Sequence, residues 1–298
     1  MRRRGRGLNG GGGGRSRARA AAAWLALAAL PAAAFGGETR CWIDQGALIA
    51  PAAFGAIAGD FVIDLAAAHS RLSDSRANAQ GLEGPTALAV LRLAGDTRPG
   101  FPMAIADLDP ETRGFDTVVN GVLGADAFAG RVLEVSFSPC RLRVSHRPGR
   151  PWRGGARLTV VETGGVPLVQ ARLGDGVRVR EALFALGTGR WASLISGARP
   201  ARPPAAATAA ADPAAEGAPV GAEDPPGRLR AVEFAGRLVE QAPARPTNEK
   251  SEGARGVLGL SVLSGQPWRW DQARRRLEVG PSGRPSPRSD GSSHRAGR

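Results

Sequence analysis

The stretch Phe61–Ser73 (FVIDLAAAHSRLS) has a counterpart later in the chain, Phe184–Ser196 (FALGTGRWASLIS). In both, an apolar strand runs into a tight turn, and the chain then returns through Leu-Ser or Leu-Ile-Ser. A second pair follows in the same order, with Asn120–Gly124 (NGVLG) matching Arg255–Gly259 (RGVLG). Further on, RLRV at 141–144 matches RLEV at 276–279. Matches that recur in one order indicate an internal duplication.

The two halves differ in the spacing of these elements. Positions 64 and 124 lie 60 residues apart, whereas positions 187 and 259 lie 72 apart. The extra length falls in 197–228, which is rich in Ala, Pro and Gly and predicts a disordered surface insertion. We therefore predict a first lobe over 36–150, a second lobe over 151–280 and a disordered tail over 281–298.

Short alternating runs bounded by glycine predict strands throughout both halves. The predicted strands are 61–65, 88–93, 132–137, 157–161, 166–173 and 177–186. Helical signal is confined to short pieces such as Ala125–Ala129. The sequence therefore predicts an all-β fold.

The charge of the chain is concentrated at its ends. The 298 residues carry 40 Lys and Arg against 27 Asp and Glu, a net charge of +13. Residues 1–35 account for +7 and residues 281–298 for +3, which leaves +3 for 36–280. Because a body so close to neutral lacks the electrostatic footprint of a polyanion-binding protein, we expect no nucleic-acid partner.

The first 35 residues have the order of a secretory signal. A basic stretch precedes an apolar run over 20–34 that contains Pro31 and ends in small residues. At about 15 residues, the run is shorter than a membrane-spanning helix requires. We expect 1–35 to be a signal peptide, the protein to be exported to a periplasm or the extracellular space, and no stable membrane span. The alternative is an Ala-rich disordered leader or a wrongly assigned start codon.

Two cysteines, Cys41 and Cys140, are the only ones in the chain. In an oxidising compartment an isolated pair favours a disulfide, with two buried thiols as the alternative. The three histidines (His69, His146 and His294) form no cluster with metal-ligand spacing, so we expect no metal and no cofactor. Trp152, Trp268 and Trp270 are interpreted as core or lobe-packing residues.

The repeat resembles the aspartic proteases, of both the two-lobed pepsin type and the smaller retroviral type, over about 42–280. In that family each lobe supplies a strand ending in Asp-Thr/Ser-Gly and an apolar-apolar-Gly strand that crosses beneath the active loop. The hydroxyl of each loop hydrogen-bonds to the opposite loop. The resemblance implies a two-lobed β-barrel architecture with a pseudo-twofold axis. It also implies the following roles: candidate catalytic acid, Asp64; active loops, Leu65, Ala66, Gly187, Thr188 and Gly189; crossing strands, Gly121, Val122, Leu123, Gly124, Gly256, Val257, Leu258 and Gly259.

The chemistry of this family needs two carboxylates. At about 3 Å they cannot both ionise, so one takes a proton from the attacking water while the other donates to the carbonyl oxygen. Here the first loop keeps Asp64 but has Leu65 and Ala66 where Thr and Gly belong. The second loop keeps Thr188 and Gly189 but has Gly187 in place of the acid. We therefore expect a catalytically degenerate protein whose interlobe cleft binds a peptide or an unfolded polypeptide.

Two other interpretations stay open at this point. In the first, two chains join their first lobes so that two copies of Asp64 form an active endopeptidase dyad. In the second, the protein is an unrelated exported β-sandwich whose repeat is coincidental. Asp64 would then be a solvated turn residue, and His69 is in every case expected to be a surface or structural residue.

Overall fold

The structure is a computed structural model that describes residues 37–174, 179–196, 227–247 and 253–281. The predicted signal peptide, nearly all of the predicted insertion and nearly all of the predicted tail lie outside the described residues. Strands dominate the described part, which confirms the all-β prediction. No helix in the described ranges is long and apolar enough to cross a membrane.

The strands of the described residues are β1 (Glu38–Arg40), β2 (Trp42–Asp44), β3 (Ala47–Phe54), β4 (Ile57–Ile63), β5 (Arg71–Ser73), β6 (Thr86–Leu93), β7 (Asp96–Ala106), β8 (Val119–Leu123), β9 (Val132–Phe137), β10 (Cys140–Ser145), β11 (Ala156–Thr159), β12 (Val161–Thr163), β13 (Val166–Gly174), β14 (Val179–Leu186), β15 (Ser193–Ser196), β16 (Gly227–Phe234), β17 (Arg237–Thr247), β18 (Gly256–Leu258), β19 (Trp268–Asp271) and β20 (Arg276–Val279). The helices are α1 (Asp74–Ala79), α2 (Asp109–Thr112) and α3 (Leu260–Leu263), with a 3₁₀ turn at Ala125–Phe128. Because β16 begins at Gly227, the last two residues of the predicted insertion belong to a strand.

Each lobe is a closed six-stranded barrel. In the first lobe the order is β3-β4-β8-β5-β7-β6, and β6 pairs again with β3 to close the ring. In the second lobe the order is β13-β14-β18-β15-β17-β16, closed by the pairing of β16 with β13. One further strand, β2 or β12, extends each sheet. Because the two barrels follow the same order, the predicted duplication is confirmed and the β-sandwich interpretation is wrong.

The crossing strands predicted from the repeat are β8 and β18. β8 runs parallel to β4 and antiparallel to β5, and β18 stands in the same relation to β14 and β15. Glycine is needed in both, because a Cβ at Gly121 would lie 2.6 Å from the Arg71 carbonyl oxygen. At Gly256, which has a φ of +151°, a Cβ would lie 1.9 Å from the Leu194 carbonyl oxygen.

A six-stranded sheet joins the lobes, in the order β1-β10-β9-β19-β20-β11. Three of its strands come from each half. From the outer edge inward, β1, β10 and β9 of the first half correspond to β11, β20 and β19 of the second half. The central pair is antiparallel, with Trp268 opposite Val135 and Trp270 opposite Leu133. The pseudo-twofold axis therefore passes between β9 and β19.

The largest apolar cluster extends through both lobes and includes Phe61, Phe184, Trp268 and Trp270, each about 1% exposed or less. The two tryptophans thus pack in the core, as their apolar surface favours. Trp152 differs, because it is half-buried and its ring lies 4.7 Å beneath the guanidinium of Arg269.

Cys41 and Cys140 form a disulfide in the structure, with their Cα atoms 5.0 Å apart. The bond connects the chain just after β1 to the start of β10, two strands that pair at the outer edge of the interlobe sheet. It closes a loop with a sequence separation of 99 residues, which includes the whole first barrel.

We expect the exchange of both cysteines, Cys41→Ala with Cys140→Ala, to lower the free energy of unfolding by about 3–5 kcal/mol. The reason is that a cross-link closing so long a loop restricts the unfolded chain strongly. Denaturant unfolding of the native and variant proteins, each with and without reductant, measures the effect. A reductant response that persists in the cysteine-free variant would contradict this assignment.

Candidate functional site

Asp64 stands at the end of β4, where the first barrel meets the second. Its backbone N–H donates to the Leu123 carbonyl oxygen at 3.0 Å, which anchors the turn to crossing strand β8. Its Oδ1 accepts a hydrogen bond from the Ala66 N–H at 3.0 Å, the local turn that Asp side chains favour. Only 11% of the side chain is exposed, so Asp64 lies at the interlobe contact instead of in bulk solvent.

The second lobe repeats this backbone arrangement without the acid. The N–H of Gly187 donates to the Leu258 carbonyl oxygen at 2.8 Å, as Asp64 does to Leu123. The two turns are therefore equivalent in their backbone hydrogen bond, and Gly187 stands at the position equivalent to Asp64. The second loop supplies no carboxylate at that position.

Two serines of the repeated stretches, for which the sequence suggested no role, hydrogen-bond to the ends of the crossing strands. Ser70 Oγ accepts the N–H of Gly124 at 3.0 Å, and Ser193 Oγ accepts the N–H of Gly259 at 3.0 Å. Each serine follows position 64 or 187 by six residues, and both are buried. This shared spacing was a signal from which their equivalence could have been found.

Thr188 joins the two loops. Its hydroxyl donates to the Ile63 carbonyl oxygen at 2.7 Å and accepts the Leu65 N–H at 3.1 Å. Its carbonyl oxygen also accepts the Leu48 N–H at 2.8 Å. Thr188 is completely buried, and Leu65 has no hydroxyl with which to return the bond. The loops are thus joined through side-chain hydrogen bonds from one lobe only.

The remaining loop residues fit this asymmetry. A Cβ on Gly189 would lie 2.7 Å from Asp64 Cγ, so only glycine lets the Asp64 carboxyl rest on the second loop. Ala66, at the position equivalent to Gly189, packs against the apolar cluster of the second lobe that contains Leu168 and Val257. Leu65 is completely buried in the main core.

The space above Gly187 is occupied. A Cβ placed there would lie 2.2 Å from Val257 Cγ1, 3.1 Å from the Leu258 carbonyl oxygen and 3.4 Å from Arg190 Cγ. The first two distances are closer than ordinary van der Waals contact, so a side chain at 187 requires its neighbours to move.

Arg190 is a charged neighbour of Asp64 that the sequence did not suggest. Its Nη2 lies 4.0 Å from Asp64 Oδ2, and no hydrogen bond connects the two groups. The Arg190 side chain is 40% exposed, whereas its Nε is buried without a hydrogen-bond partner in the described residues. The signal was its position inside the repeated loop, three residues after Gly187.

The rim of the site carries two exposed rings. Trp191 is 44% exposed, and its Cβ lies over the Gly46 turn of the first lobe. The His69 side chain is 84% exposed, with its Nδ1 3.8 Å from Asp126 Oδ2. His146 lies elsewhere, 3.5 Å from Asp96, and His294 is outside the described residues. Across the described ranges no three His, Cys, Asp or Glu side chains are grouped so that they could hold a metal ion.

Comparison with known proteins identifies the fold. The sequence matches no protein-family model and has no significant match to a curated protein. Among solved structures, the aspartic proteinase from Irpex lacteus is similar, with a TM-score of 0.51 and 11% identity, over 83% of this chain and 98% of the proteinase. The two-lobed acid-protease-like fold implied by the repeat is therefore confirmed, at the level of architecture.

We expect Thr188→Val to lower the free energy of unfolding by about 2–4 kcal/mol. The substitution leaves the buried Ile63 carbonyl and Leu65 N–H without their partner. Thr188→Ser, which keeps the hydroxyl, is the matched control and should remain close to the native protein. A loss in Thr188→Val no larger than that in Thr188→Ser, measured by denaturant unfolding, would contradict the role given to the hydroxyl.

We expect Gly187→Ala to be destabilising by about 1–3 kcal/mol, because its Cβ overlaps Val257 Cγ1. Gly174→Ala is the control, since a Cβ there meets its nearest neighbour at an ordinary 3.6 Å. Adding Val257→Ala should relieve the overlap, so that the double variant is less destabilised than the sum of the two single variants. Strict additivity in thermal or denaturant unfolding would refute this account of the filled space.

Proposed function

We propose that this protein is an exported, catalytically inactive member of the acid-protease fold that binds an extended peptide at the interlobe surface around Asp64. The observation that carries the proposal is the replacement of the second acid by Gly187, with the Val257 side chain in the vacated space. The ionic neighbour of Asp64 in the site is a guanidinium, not a second carboxylate.

A carboxylate beside an arginine cannot divide the work as two carboxylates do. A guanidinium group carries N–H donors and no acceptor, so Arg190 cannot take a proton from water in the way that a carboxylate does. Asp64 would then have to act as both the general acid and the general base of the reaction, with no second carboxylate to share these roles. The arrangement supports binding chemistry, because loss of one member of such a catalytic unit removes most of the rate.

The same pair suits the backbone of a peptide. Asp64 Oδ2 accepts no hydrogen bond from the described residues, and the Arg190 guanidinium is partly open to solvent. A bound chain can donate an N–H to the first and offer a carbonyl to the second, at groups 4.0 Å apart. The exposed ring of Trp191 adds apolar contact beside them.

A dyad made from two chains is disfavoured by the packing around Asp64. The carboxyl rests on Gly189 of its own chain, where even a Cβ would be 2.7 Å away. A second copy of Asp64 could approach to about 3 Å, as a shared proton requires, only if the second lobe moved off the first.

Export rests on the signal-like order of residues 1–35 and agrees with the disulfide, since such bonds persist in oxidising compartments. Mass spectrometry of the protein recovered from its producing cell identifies the mature N-terminus. Recovery of the uncleaved chain from the cytoplasm would exclude export.

We expect the purified protein to leave an unstructured substrate such as casein uncut between pH 3 and 7, and to bind peptides from a random-sequence library. Asp64→Asn and Arg190→Gln should each weaken peptide binding at least fivefold, because each removes one side of the pair. Asp60→Asn, at a strand position on the same β4, is the control for a general effect of charge. Cleavage that disappears in Asp64→Asn would overturn the proposal, as would binding unchanged in both site variants.

A further inference from the structure

A second feature lies at the second-lobe edge of the interlobe sheet, away from Asp64. A surface cleft of about 420 Å³ is formed by β11, the start of β12 and the turn before β20. Four arginines line it, Arg157, Arg274, Arg275 and Arg276, against a single acid, Glu162. We call it the arginine cleft. Its volume falls within the range of small-molecule sites.

Two of these arginines share a single, loosely placed carboxylate oxygen as their ion-pair partner. Arg157 Nε and Arg276 Nε lie 3.4 and 3.6 Å from the same oxygen, Glu278 Oε1. The other oxygen of Glu278 is engaged at 2.6 Å by the buried Arg269. Arg276 Nε is itself buried without a hydrogen-bond partner in the described residues. The Glu278 carboxylate thus contacts three guanidinium groups, of which Arg269 also pairs with Glu134 at 3.5 Å.

The other two arginines differ from each other. Arg274 is paired with Asp271 at 2.9 Å. Arg275 is exposed and forms no ion pair within the described part of the chain. Glu162, the acid of the lining, contacts the Gln272 amide at 3.4 Å instead of an arginine. Within the described residues the cleft therefore presents one guanidinium without an ion pair, that of Arg275, beside three that are paired.

The pseudo-twofold shows that the fold does not require an arginine at position 275, since its first-lobe equivalent is Cys140. Val160 N–H donates to the Arg275 carbonyl oxygen at 2.9 Å, and at the equivalent place in the first lobe Cys41 N–H donates to Cys140 at 3.3 Å. Where the first lobe is closed by a disulfide, the second lobe places Arg275 beside an open cleft. This backbone hydrogen bond recurs in both lobes, whereas the side chains beside it differ.

We propose that the arginine cleft binds a phosphate group. Guanidinium groups hold phosphate oxygens through paired hydrogen bonds, and a multivalent oxyanion relieves the repulsion among neighbouring arginines better than a single carboxylate. The group belongs either to a small soluble molecule or to a lipid headgroup. This site is independent of the interlobe surface and does not rest on the function proposed for it.

Isothermal titration calorimetry of the full chain with inorganic pyrophosphate, at 150 mM NaCl, tests the proposal. We expect saturable binding that is at least tenfold weaker in the variant carrying Arg157→Gln and Arg275→Gln. Arg141→Gln is the matched control, because Arg141 is the first-lobe equivalent of Arg276 and pairs on the surface with Glu38. Arg275→Gln alone, at an exposed position without an ion pair, should fold normally and weaken binding severalfold.

Sedimentation with vesicles of phosphatidylcholine, with and without phosphatidylglycerol, separates the two sources of phosphate. Binding of pyrophosphate without vesicle binding assigns a soluble ligand, and vesicle binding that pyrophosphate displaces assigns a headgroup. Absence of pyrophosphate binding overturns the proposal. An equal loss in the Arg141→Gln control overturns it too, because the effect would then reflect overall charge.

Discussion

The hydroxyl of Thr188 is the interaction on which the centre of this molecule depends. It donates to one backbone group of the opposite loop and accepts from another, in a position closed to water. Buried backbone groups left without partners are costly, so the two barrels meet in the single relative position that satisfies both. The placement of Asp64 over Gly189, and of Arg190 beside it, follows from that junction.

The duplicated architecture makes every difference between the lobes informative. The crossing strands and the serines that hold them are matched in both halves, because the barrels cannot close without them. The sites of divergence lie elsewhere: an acid against Gly187 at the interlobe contact, and a disulfide against the exposed Arg275 at the sheet edge. The two proposals of function concern these two places.

Much of the fold could be predicted from the repeat. The crossing strands and the short turn after Gly124 were found at their places, and the strand predicted at 61–65 overlaps β4, because strand periodicity and glycine position are local properties. Strand boundaries were less exact: β4 ends at Ile63, and β16 begins at Gly227 inside the predicted insertion. The approach of Arg190 to Asp64 was missed, since partners more than a hundred positions apart leave no local pattern. The resemblance implied that the Thr188 hydroxyl bonds to the opposite loop, but it did not identify Ile63 and Leu65 as the partners.

The amino-acid sequence by itself determined the duplication, the all-β class and the loss of one acid, since each is written in residue type and spacing. Tertiary structure alone decided what replaced that acid. Val257 reaches Gly187 from another strand, and Arg190 reaches Asp64 across the lobe boundary. Likewise, arginines from 157 and 274–276 share a cleft only because β11 pairs with β20. Charge and volume act through space, so their consequences appear only once the chain is folded.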